Sequence, residues 1–395
     1  MQALLIYGAG AIGRGYVPWI FSPNKYSYSY VETKDDLRNS LNHRKKFTTF
    51  KIVDGRYESM EVTIEQCYNL GEEKEKVGEV DAIVTAIGSR NIPSIVGNLK
   101  GSYTPIICFE NDPSICELLI SKTGNPNVAF GIPDTICSNT APDQLKNKDP
   151  LSLVTEDGTC YIDHSVSWMR DNCVYADENL LGKQWIAKLY LHNTPHCVTA
   201  YLGHILSVTY VHEALLNKNV EKIVNGVLDE TKELLTKRFN FDEHYVEWYA
   251  NKELKRFRNP LLCDPISRVA REPLRKLGLN ERLIGAAKLC IECVPCITPT
   301  NIIRGIVAAF YYDNPVDCDS QKIKFLMRSL EPTGFLEALG LRPHEQLHKL
   351  ILDEWVPSFN DMMVTPTLPA RIVLGARSIP SNVNNVPREL MTENK

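Results

Sequence analysis

The sequence predicts an α/β N-terminal domain, built on a Rossmann-type doubly wound sheet, and a mainly α-helical C-terminal domain. Short apolar runs alternate with helical patterns over the first ~150 residues, which is typical of a parallel sheet with crossover helices. Long amphipathic stretches replace the strand patterns from about Gln184 onward. We therefore expect an α/β domain over residues 1–185, a helical domain over residues 186–380 and a surface tail over residues 381–395.

The individual elements follow from local patterns. The first strand is predicted at Ala3–Tyr7 and the second at Tyr26–Val31, and later strands are predicted at Asp81–Ala86 and Pro105–Phe109. The clearest amphipathic helical patterns cover Val220–Lys237, Pro299–Tyr312 and Pro343–Trp355.

The composition shows no strong charge bias. Of the 395 residues, 44% are hydrophobic, and the formal net charge is −4, so nothing favours nucleic acid as a partner. No run of about 18 apolar residues occurs, which predicts that no segment spans a membrane. The N-terminus lacks a secretory signal pattern, and the twelve cysteines are typical of reduced thiols, so we expect a cytoplasmic protein. A small-molecule partner is expected, and a monomer and a homodimer are both compatible with the sequence.

A glycine-rich turn follows the first predicted strand. Gly8 permits a tight turn, Gly10 lets the backbone approach a pyrophosphate, and Gly13 allows close packing of strand and helix. A purely structural glycine turn is the alternative. The residues predicted to contact a dinucleotide are Gly8, Gly10, Ala11, Ile12, Gly13, Glu32, Ala86 and Asn111.

An acidic residue at the end of the second strand supports this prediction. Glu32 lies nineteen residues after Gly13, at the position from which a carboxylate accepts hydrogen bonds from the ribose hydroxyls. A carboxylate there repels a 2′-phosphate, so the sequence predicts NAD rather than NADP. Arg38 and Arg44 lie further along and would soften that preference.

Three polar residues stand close together where the chain turns from α/β to helical. Lys188, Asn193 and His196 lie within nine residues, and a domain junction beside a nucleotide fold is a common substrate site. A buried lysine can act as a general base for alcohol oxidation without a metal. Amide donors can stabilise the developing alkoxide. A solvated lysine and a core histidine are the alternatives.

The same stretch resembles a known family. Lys-x4-Asn-x2-His is the signature of the polyol-specific long-chain dehydrogenases, the mannitol dehydrogenase family. The matches span roughly residues 3–355, and the further segments that resemble the family are Gly8–Gly15, Phe109–Asn111, Arg256–Pro260, Arg271–Leu277 and Asn301–Asp313.

The resemblance implies roles for individual residues. Lys188 would be the base, Asn111 and Asn193 the oxyanion donors, and His196 a ligand of substrate hydroxyls. Two departures from the family pattern stand out. Pro195 occupies a position where many relatives have Gly, Ala or Ser, and its ring restricts Thr194. Relatives also tend to carry a glutamate, assigned to proton relay, two or three residues before the lysine, where this chain has Ile186 and Trp185.

A basic cluster indicates the branch of the family. Guanidinium and ammonium groups near a substrate cleft suit a phosphate. The segment also resembles the sugar-phosphate branch, which implies a sugar-alcohol phosphate as the substrate, with D-mannitol 1-phosphate and fructose 6-phosphate as the pair. The predicted phosphate ligands are Arg268, Arg271, Arg275 and Lys276. Ion pairs between helices are the alternative role for the cluster. The other candidate functions are an unphosphorylated polyol 2-dehydrogenase, a hexuronate reductase and a non-catalytic NAD-binding regulatory protein.

Two patterns could indicate a metal, and we expect neither to bind one. Cys290-x2-Cys293-x2-Cys296 lacks a fourth ligand and lies between helical stretches, where cysteines pack as small hydrophobes. His192-x3-His196 has zinc-like spacing, but Pro195 interrupts it and no glutamate follows the first histidine. The aromatic-rich stretch Phe239–Tyr249 is interpreted as packing within the helical domain.

Overall fold

The N-terminal part of the chain forms one twisted sheet. In this computed structural model the described residues are 1–169 and 172–364, with the side chains of residues 356–364 left out. The strands are β1 Gln2–Tyr7, β2 Tyr26–Val31, β3 Lys46–Val53, β4 Arg56–Tyr68, β5 Ala82–Thr85, β6 Ile106–Cys108, β7 Val128–Asp134, β8 Cys137–Ser138, β9 Leu153–Glu156, β10 Thr159–Asp163 and β11 Val174–Ala176.

The strand order confirms the predicted fold class. The sheet runs β11-β10-β7-β6-β5-β1-β2-β4-β3-β9-β8, and its central six strands are parallel. Counting only those six, the order is that of a doubly wound dinucleotide-binding sheet. Each of the four predicted strands coincides with an observed one, to within one residue at either end.

Alternation along each strand explains why both faces of the sheet are covered. Leu4 and Ile6 of β1 pack into one apolar cluster, whereas Leu5 and Tyr7 pack into the cluster on the opposite face. In register, Tyr7 pairs with Thr85, and Thr85 pairs with Cys108. The carboxyl ends of β1, β5 and β6 therefore form one continuous edge.

The rest of the described chain is mainly helical. The helices are α1 Ala11–Gly15, α2 Val17–Ile20, α3 Asp35–Arg44, α4 Lys74–Val77, α5 Ile92–Leu99, α6 Ser114–Thr123, α7 Asp143–Lys146, α8 Glu178–Ala187, α9 Thr194–Ile205, α10 Val211–Ala214, α11 Lys218–Phe239, α12 Glu243–Phe257, α13 Ile266–Ala270, α14 Pro273–Lys276, α15 Ile284–Glu292, α16 Thr300–Phe310, α17 Cys318–Ser329, α18 Pro332–Ala338 and α19 Gln346–Val364.

The three predicted helical stretches correspond to α11, α16 and α19. The last strand ends at Ala176 and the first long helix after it begins at Glu178. In the part of the chain that the structure describes, no helix has both the length and the apolar character needed to cross a bilayer. The predicted tail at 381–395 lies outside the described residues.

Several contacts join the sheet to the helical part. The Tyr57 hydroxyl donates to the Leu261 carbonyl at 2.7 Å, and the Ser138 hydroxyl donates to the Cys263 carbonyl at 3.0 Å. A bidentate pair links Arg90, at the end of β5, to Asp319 at 2.8 and 2.9 Å. These contacts hold the sheet against the helices, and the Arg90–Asp319 pair does so beyond the carboxyl end of β5.

Candidate active site

The glycine-rich loop lies at the carboxyl end of β1 and has the geometry that a dinucleotide site requires. Gly8 has φ +97°, and a Cβ there would lie 2.6 Å from the Ala86 carbonyl oxygen. A Cβ at Gly13 would lie 1.9 Å from the Gly8 carbonyl oxygen, so helix α1 packs directly on the turn. Gly10, by contrast, has nothing within 4 Å of its Cβ position. The loop is therefore closed on the protein side and open at Gly10, which fits a pyrophosphate.

Glu32 lies where the sequence predicts it, at the end of β2. Its carboxylate accepts from the amide of Ala9 at 3.2 Å and from that of Lys34 at 2.9 Å. The side chain is half-buried, which leaves it available to ribose hydroxyls beside the loop. Arg38 is turned away, since its guanidinium donates to the Glu32 carbonyl and pairs with Asp35.

The ends of β5 and β6 meet through a carboxylate that the sequence analysis did not single out as a site residue. Glu110 is buried and accepts from the amides of Ile87 at 3.0 Å and Gly88 at 2.8 Å. Burial raises the pKa of Glu110, and the charge of Arg271 is among the groups that oppose this rise. Asn111, the predicted oxyanion donor, follows directly and is exposed.

Two of the three predicted catalytic residues, Lys188 and Asn193, lie on a turn of π-helix. Residues Lys188–Asn193 form this turn between α8 and α9, and the amide of Thr194 donates to the carbonyl of Leu189, five residues earlier. In an α-helix, residues five apart lie about 140° apart around the axis. The wider π-turn instead brings such residues close to one face. The turn thus explains how a Lys-x4-Asn spacing can present both side chains to one site.

Lys188 is buried rather than solvated. Its Nζ donates to the carbonyl of Pro133 at 2.7 Å, near the end of β7. Burial lowers the pKa of Lys188 to about 8, and the carboxylate of Asp134 opposes that shift. An amine with a pKa close to neutral pH is suited to proton transfer.

Asn193 has an unused donor. The side chain is buried, and its Nδ2 has no hydrogen-bond partner among the described residues. Leaving a buried donor unpaired costs about 1–3 kcal/mol. This unpaired donor shares the π-turn with Lys188, and an oxygen of the substrate would be a suitable partner for it.

His196 lies one helical turn after Asn193, and the carboxylate of Asp264 holds its ring. Its Nε2 lies 2.9 Å from Asp264, its ring stacks on Phe257 at 4.8 Å, and Arg268 pairs with the other oxygen of Asp264. Burial lowers the pKa of His196 to about 4, although Asp264 opposes the shift. The imidazole is therefore neutral at physiological pH, and the Asp264 contact assigns the hydrogen to Nε2.

A buried ionic network lies behind Lys188, and sequence patterns indicated little of it. Asp134 accepts from Tyr249 at 2.9 Å, from Lys252 at 2.6 Å and from Arg256 at 3.0 Å. Arg256 also contacts two further buried carboxylates, those of Glu156 and Glu253. The one available signal was Asp134 itself, a polar residue that ends an apolar strand.

The four residues of the basic cluster differ in the partners of their side chains. Arg268 is paired with Asp264, and Arg275 with Glu272 and Glu281. Lys276 is buried, and its Nζ donates to backbone carbonyls. Within the described chain, Arg271 alone of the four predicted ligands has neither an ion pair nor a side-chain hydrogen bond, and it is exposed. Of the four residues predicted to bind a phosphate, Arg271 is therefore the one whose charged group has no other described partner.

The possible metal ligands are held by other groups. Among the described residues, Asp134, His192 and Glu253 have ligand atoms within 4.8 Å of one another. Lys252 and Arg256 already pair with these carboxylates, and they would repel a cation. The three cysteines form no such group in the described chain.

The two departures from the family pattern both lie beside the π-turn. The backbone stays helical from Ala187 through the π-turn to Thr194, so Pro195 lies inside a continuous helix, where its missing amide hydrogen removes one bond of the helical ladder. Trp185 packs edge-on against Phe130 at 5.8 Å. The position of the family's glutamate is thus occupied by an apolar contact.

Two family models match the chain. The Rossmann domain of mannitol dehydrogenases matches residues 2–123, and their C-terminal domain matches residues 183–333. The mannitol-1-phosphate 5-dehydrogenase of Caldanaerobacter subterraneus subsp. tengcongensis is 30% identical over 350 residues, covering 82% of this chain and 90% of that protein. The Bacillus subtilis enzyme of the same name is 28% identical over 380 residues, covering 88% and 98%.

Solved structures share the fold. The Pseudomonas fluorescens mannitol 2-dehydrogenase, in a ternary complex with NAD and D-mannitol, superimposes with a TM-score of 0.74 at 14% identity and covers 93% of each chain. A D-sorbitol dehydrogenase gives a TM-score of 0.60 at 12% identity, covering 94% of this chain and 97% of its own. At these identities the likeness concerns the fold alone.

Proposed function

The chain belongs to the mannitol dehydrogenase family and is an oxidoreductase that acts on a CH–OH group, and from that premise we propose that it interconverts a sugar-alcohol phosphate and a ketose phosphate with NAD. The proposed pair is D-mannitol 1-phosphate and fructose 6-phosphate. The observation that carries this proposal is the π-turn, which combines a desolvated lysine with a buried amide that lacks a partner.

Lys188 acts as the general base in this proposal. The neutral amine takes the proton of the substrate hydroxyl, and in the reverse direction the ammonium returns it to the carbonyl oxygen. Gly8, Gly10 and Glu32 would hold NAD, which would supply the acceptor for the hydride of the alcohol carbon. Nδ2 of Asn193 donates to the substrate oxygen as charge develops on it, with Asn111 as the second donor.

The remaining residues bind and orient the substrate. His196 donates its Nε2 hydrogen to Asp264, so its Nδ1 is free to accept from a substrate hydroxyl. Arg271 supplies the unpaired guanidinium for the phosphate. Its electrostatic effect on Glu110 indicates that Arg271 lies near the strand ends where the nicotinamide would lie. The names of the relatives from Caldanaerobacter and Bacillus also support a phosphorylated substrate.

Initial rates of NADH oxidation with fructose 6-phosphate, fructose, fructuronate and tagaturonate test the proposal. We expect turnover with fructose 6-phosphate and little with the other three. Turnover with an unphosphorylated sugar alone would keep the family and the mechanism but overturn the phosphorylated substrate. No turnover with any of the four would favour the non-catalytic alternative.

Arg271→Ala tests the phosphate ligand directly. The variant is expected to raise KM for fructose 6-phosphate at least about tenfold, equivalent to about 1.4 kcal/mol of binding, while kcat changes little. Arg328→Ala, which removes an exposed arginine of α17, is the matched control and should leave KM unchanged. Equal KM values in the two variants would remove Arg271 from the site.

A further inference from the structure

A cavity lies apart from the residues that are proposed to bind and convert the substrate. It has a volume of about 560 Å³ and opens between α12, the turn that joins β3 to β4, and the turn that joins β9 to β10. This size is typical of small-molecule sites. Lys188, Asn193 and His196 are not among the described residues that line it.

The floor of the cavity holds a buried carboxyl group with an unused oxygen. Glu156 is 6% exposed. Its Oε1 accepts from the amide of Ile136 at 2.8 Å and forms an ion pair with Nε of Arg256 at 3.0 Å. Its Oε2 has no hydrogen-bond partner among the described residues, and it is not among their fully buried polar atoms that lack one. This oxygen is therefore exposed to the cavity. Burial raises the pKa of Glu156 to about 8, against the opposing charge of Arg256, so this carboxyl group can accept a hydrogen bond in the cavity and, when protonated, donate one.

The rim carries an exposed aromatic ring. Trp248 is 58% exposed, unlike its neighbour Tyr249, which is 1% exposed. The interpretation of Phe239–Tyr249 as packing holds only in part for Trp248, whose ring contacts Tyr245 and Tyr249 but is more than half exposed. The ammonium group of Lys252 lies 5.1 Å from the centroid of the indole ring and limits its movement. The ring thus offers a fixed apolar surface at the entrance.

The charges around the cavity are balanced. Arg256 is paired with Glu156, Lys252 with Asp134, and Asp157 with Lys51. The side chains of Lys255 and Asp54, one of each sign, have no ion pair or hydrogen bond in the part of the chain that the structure describes. An anionic ligand would therefore find no surplus of positive charge here.

We propose that this cavity is a second binding site, which takes a neutral sugar ring. The apolar C–H face of the ring lies on Trp248, and its hydroxyl groups bond to Glu156, Asp54 and Lys255. Two amides also line the cavity: Asn251 can accept through its Oδ1, since its Nδ2 donates to Glu247, and Asn259 can donate through its Nδ2, since its Oδ1 accepts from the amide of Leu261. This site does not depend on the function proposed for the Lys188 site.

Ligand-observed NMR tests the proposal with D-glucose, D-mannose and D-fructose as probes. Saturation of the protein should transfer to ring C–H protons in the wild-type enzyme, and equally in Lys188→Ala. Trp248→Ala should weaken binding at least about tenfold. Trp168→Ala is the matched control, since Trp168 is a 45% exposed tryptophan on another part of the surface, and it should bind as the wild type does.

Asp54→Asn provides a second variant that the fold tolerates, because φ at this position is +48° and asparagine accepts that conformation. It should weaken binding several-fold. Absence of transfer to all three sugars in the wild type would overturn the proposal, as would tighter binding of AMP or of glucose 6-phosphate than of glucose. Sugar binding that survives Trp248→Ala but is lost in Asn193→Ala would assign the sugar to the Lys188 site and would also overturn it.

Discussion

Lys188 determines how the rate of the proposed reaction should depend on pH. Alcohol oxidation needs the neutral amine, and burial lowers the pKa of Lys188 to about 8. Oxidation should therefore accelerate as the pH rises and level off above about pH 8. Ketose reduction needs the ammonium form and should slow through the same range. Initial rates measured in both directions across pH check this expectation.

The Lys188→Ala variant should lose about 10²- to 10⁴-fold in kcat, together with the titration near pH 8. Lys183→Ala is the control, since Lys183 is an exposed lysine of α8, and it should retain both rate and profile. Full activity in Lys188→Ala, or an unchanged pH profile, would contradict the role of the base.

Candidate site residues could be predicted where they belong to a motif with a fixed spacing. Lys188, Asn193 and His196 stand within nine residues and match a family signature. Asp134 and Glu156 end two different strands and meet Arg256 of α12 only in the folded chain. No sequence pattern connects residues that tertiary packing alone brings together.

At the scale of elements, the apolar central strands were predictable because both of their faces are buried. The hairpin β3–β4 was not predicted, and much of β4 is polar because one of its faces is exposed. The π-turn has no propensity signal of its own. It is visible only in the folded backbone, where Lys188 and Asn193 are its first and last residues.

Pro195 tests whether the π-turn depends on proline. The bond that defines the turn, from the amide of Thr194 to the carbonyl of Leu189, precedes this residue. Pro195→Ala should therefore leave kcat nearly unchanged. It should lower the free energy of unfolding by about 1–2 kcal/mol, because the unfolded chain gains freedom and buried ring atoms are lost. Urea unfolding and steady-state kinetics check both parts, and a large loss of kcat would show that proline maintains the turn.

Arg256 of α12 contacts three buried carboxylates, of which Asp134 ends β7, Glu156 ends β9 and Glu253 lies on α12 itself. Removing one partner of a buried ionic group costs about 3–5 kcal/mol. Arg256→Ala should lower the free energy of unfolding by about that amount. Arg258→Ala, two residues on and exposed, is the control and should shift the urea midpoint far less. Equal shifts in the two variants would show that the network contributes little.

For the molecule as a whole, cofactor binding and folding should be coupled, because the glycine loop lies at the edge that the helical part covers. The contacts from Tyr57, Ser138 and Arg90 to the helices predict that both parts unfold together. NAD at about 100 times its Kd should raise the free energy of unfolding by about 2.7 kcal/mol. Calorimetry should then show a single transition that moves as a unit, whereas two transitions of which only one responds would contradict this coupling.

Substitutions at two glycines distinguish an effect on NAD binding from an effect on folding. Gly10 has open space at its Cβ position, whereas a Cβ at Gly13 would lie 1.9 Å from the Gly8 carbonyl oxygen. Gly10→Ala should therefore unfold at the wild-type temperature without NAD but lose most of the NAD-dependent rise, because the methyl group occupies the space that a pyrophosphate needs. Gly13→Ala should be destabilised with or without NAD. A Gly10→Ala protein that kept the full rise would place the pyrophosphate elsewhere and remove the main support for a dinucleotide at this loop.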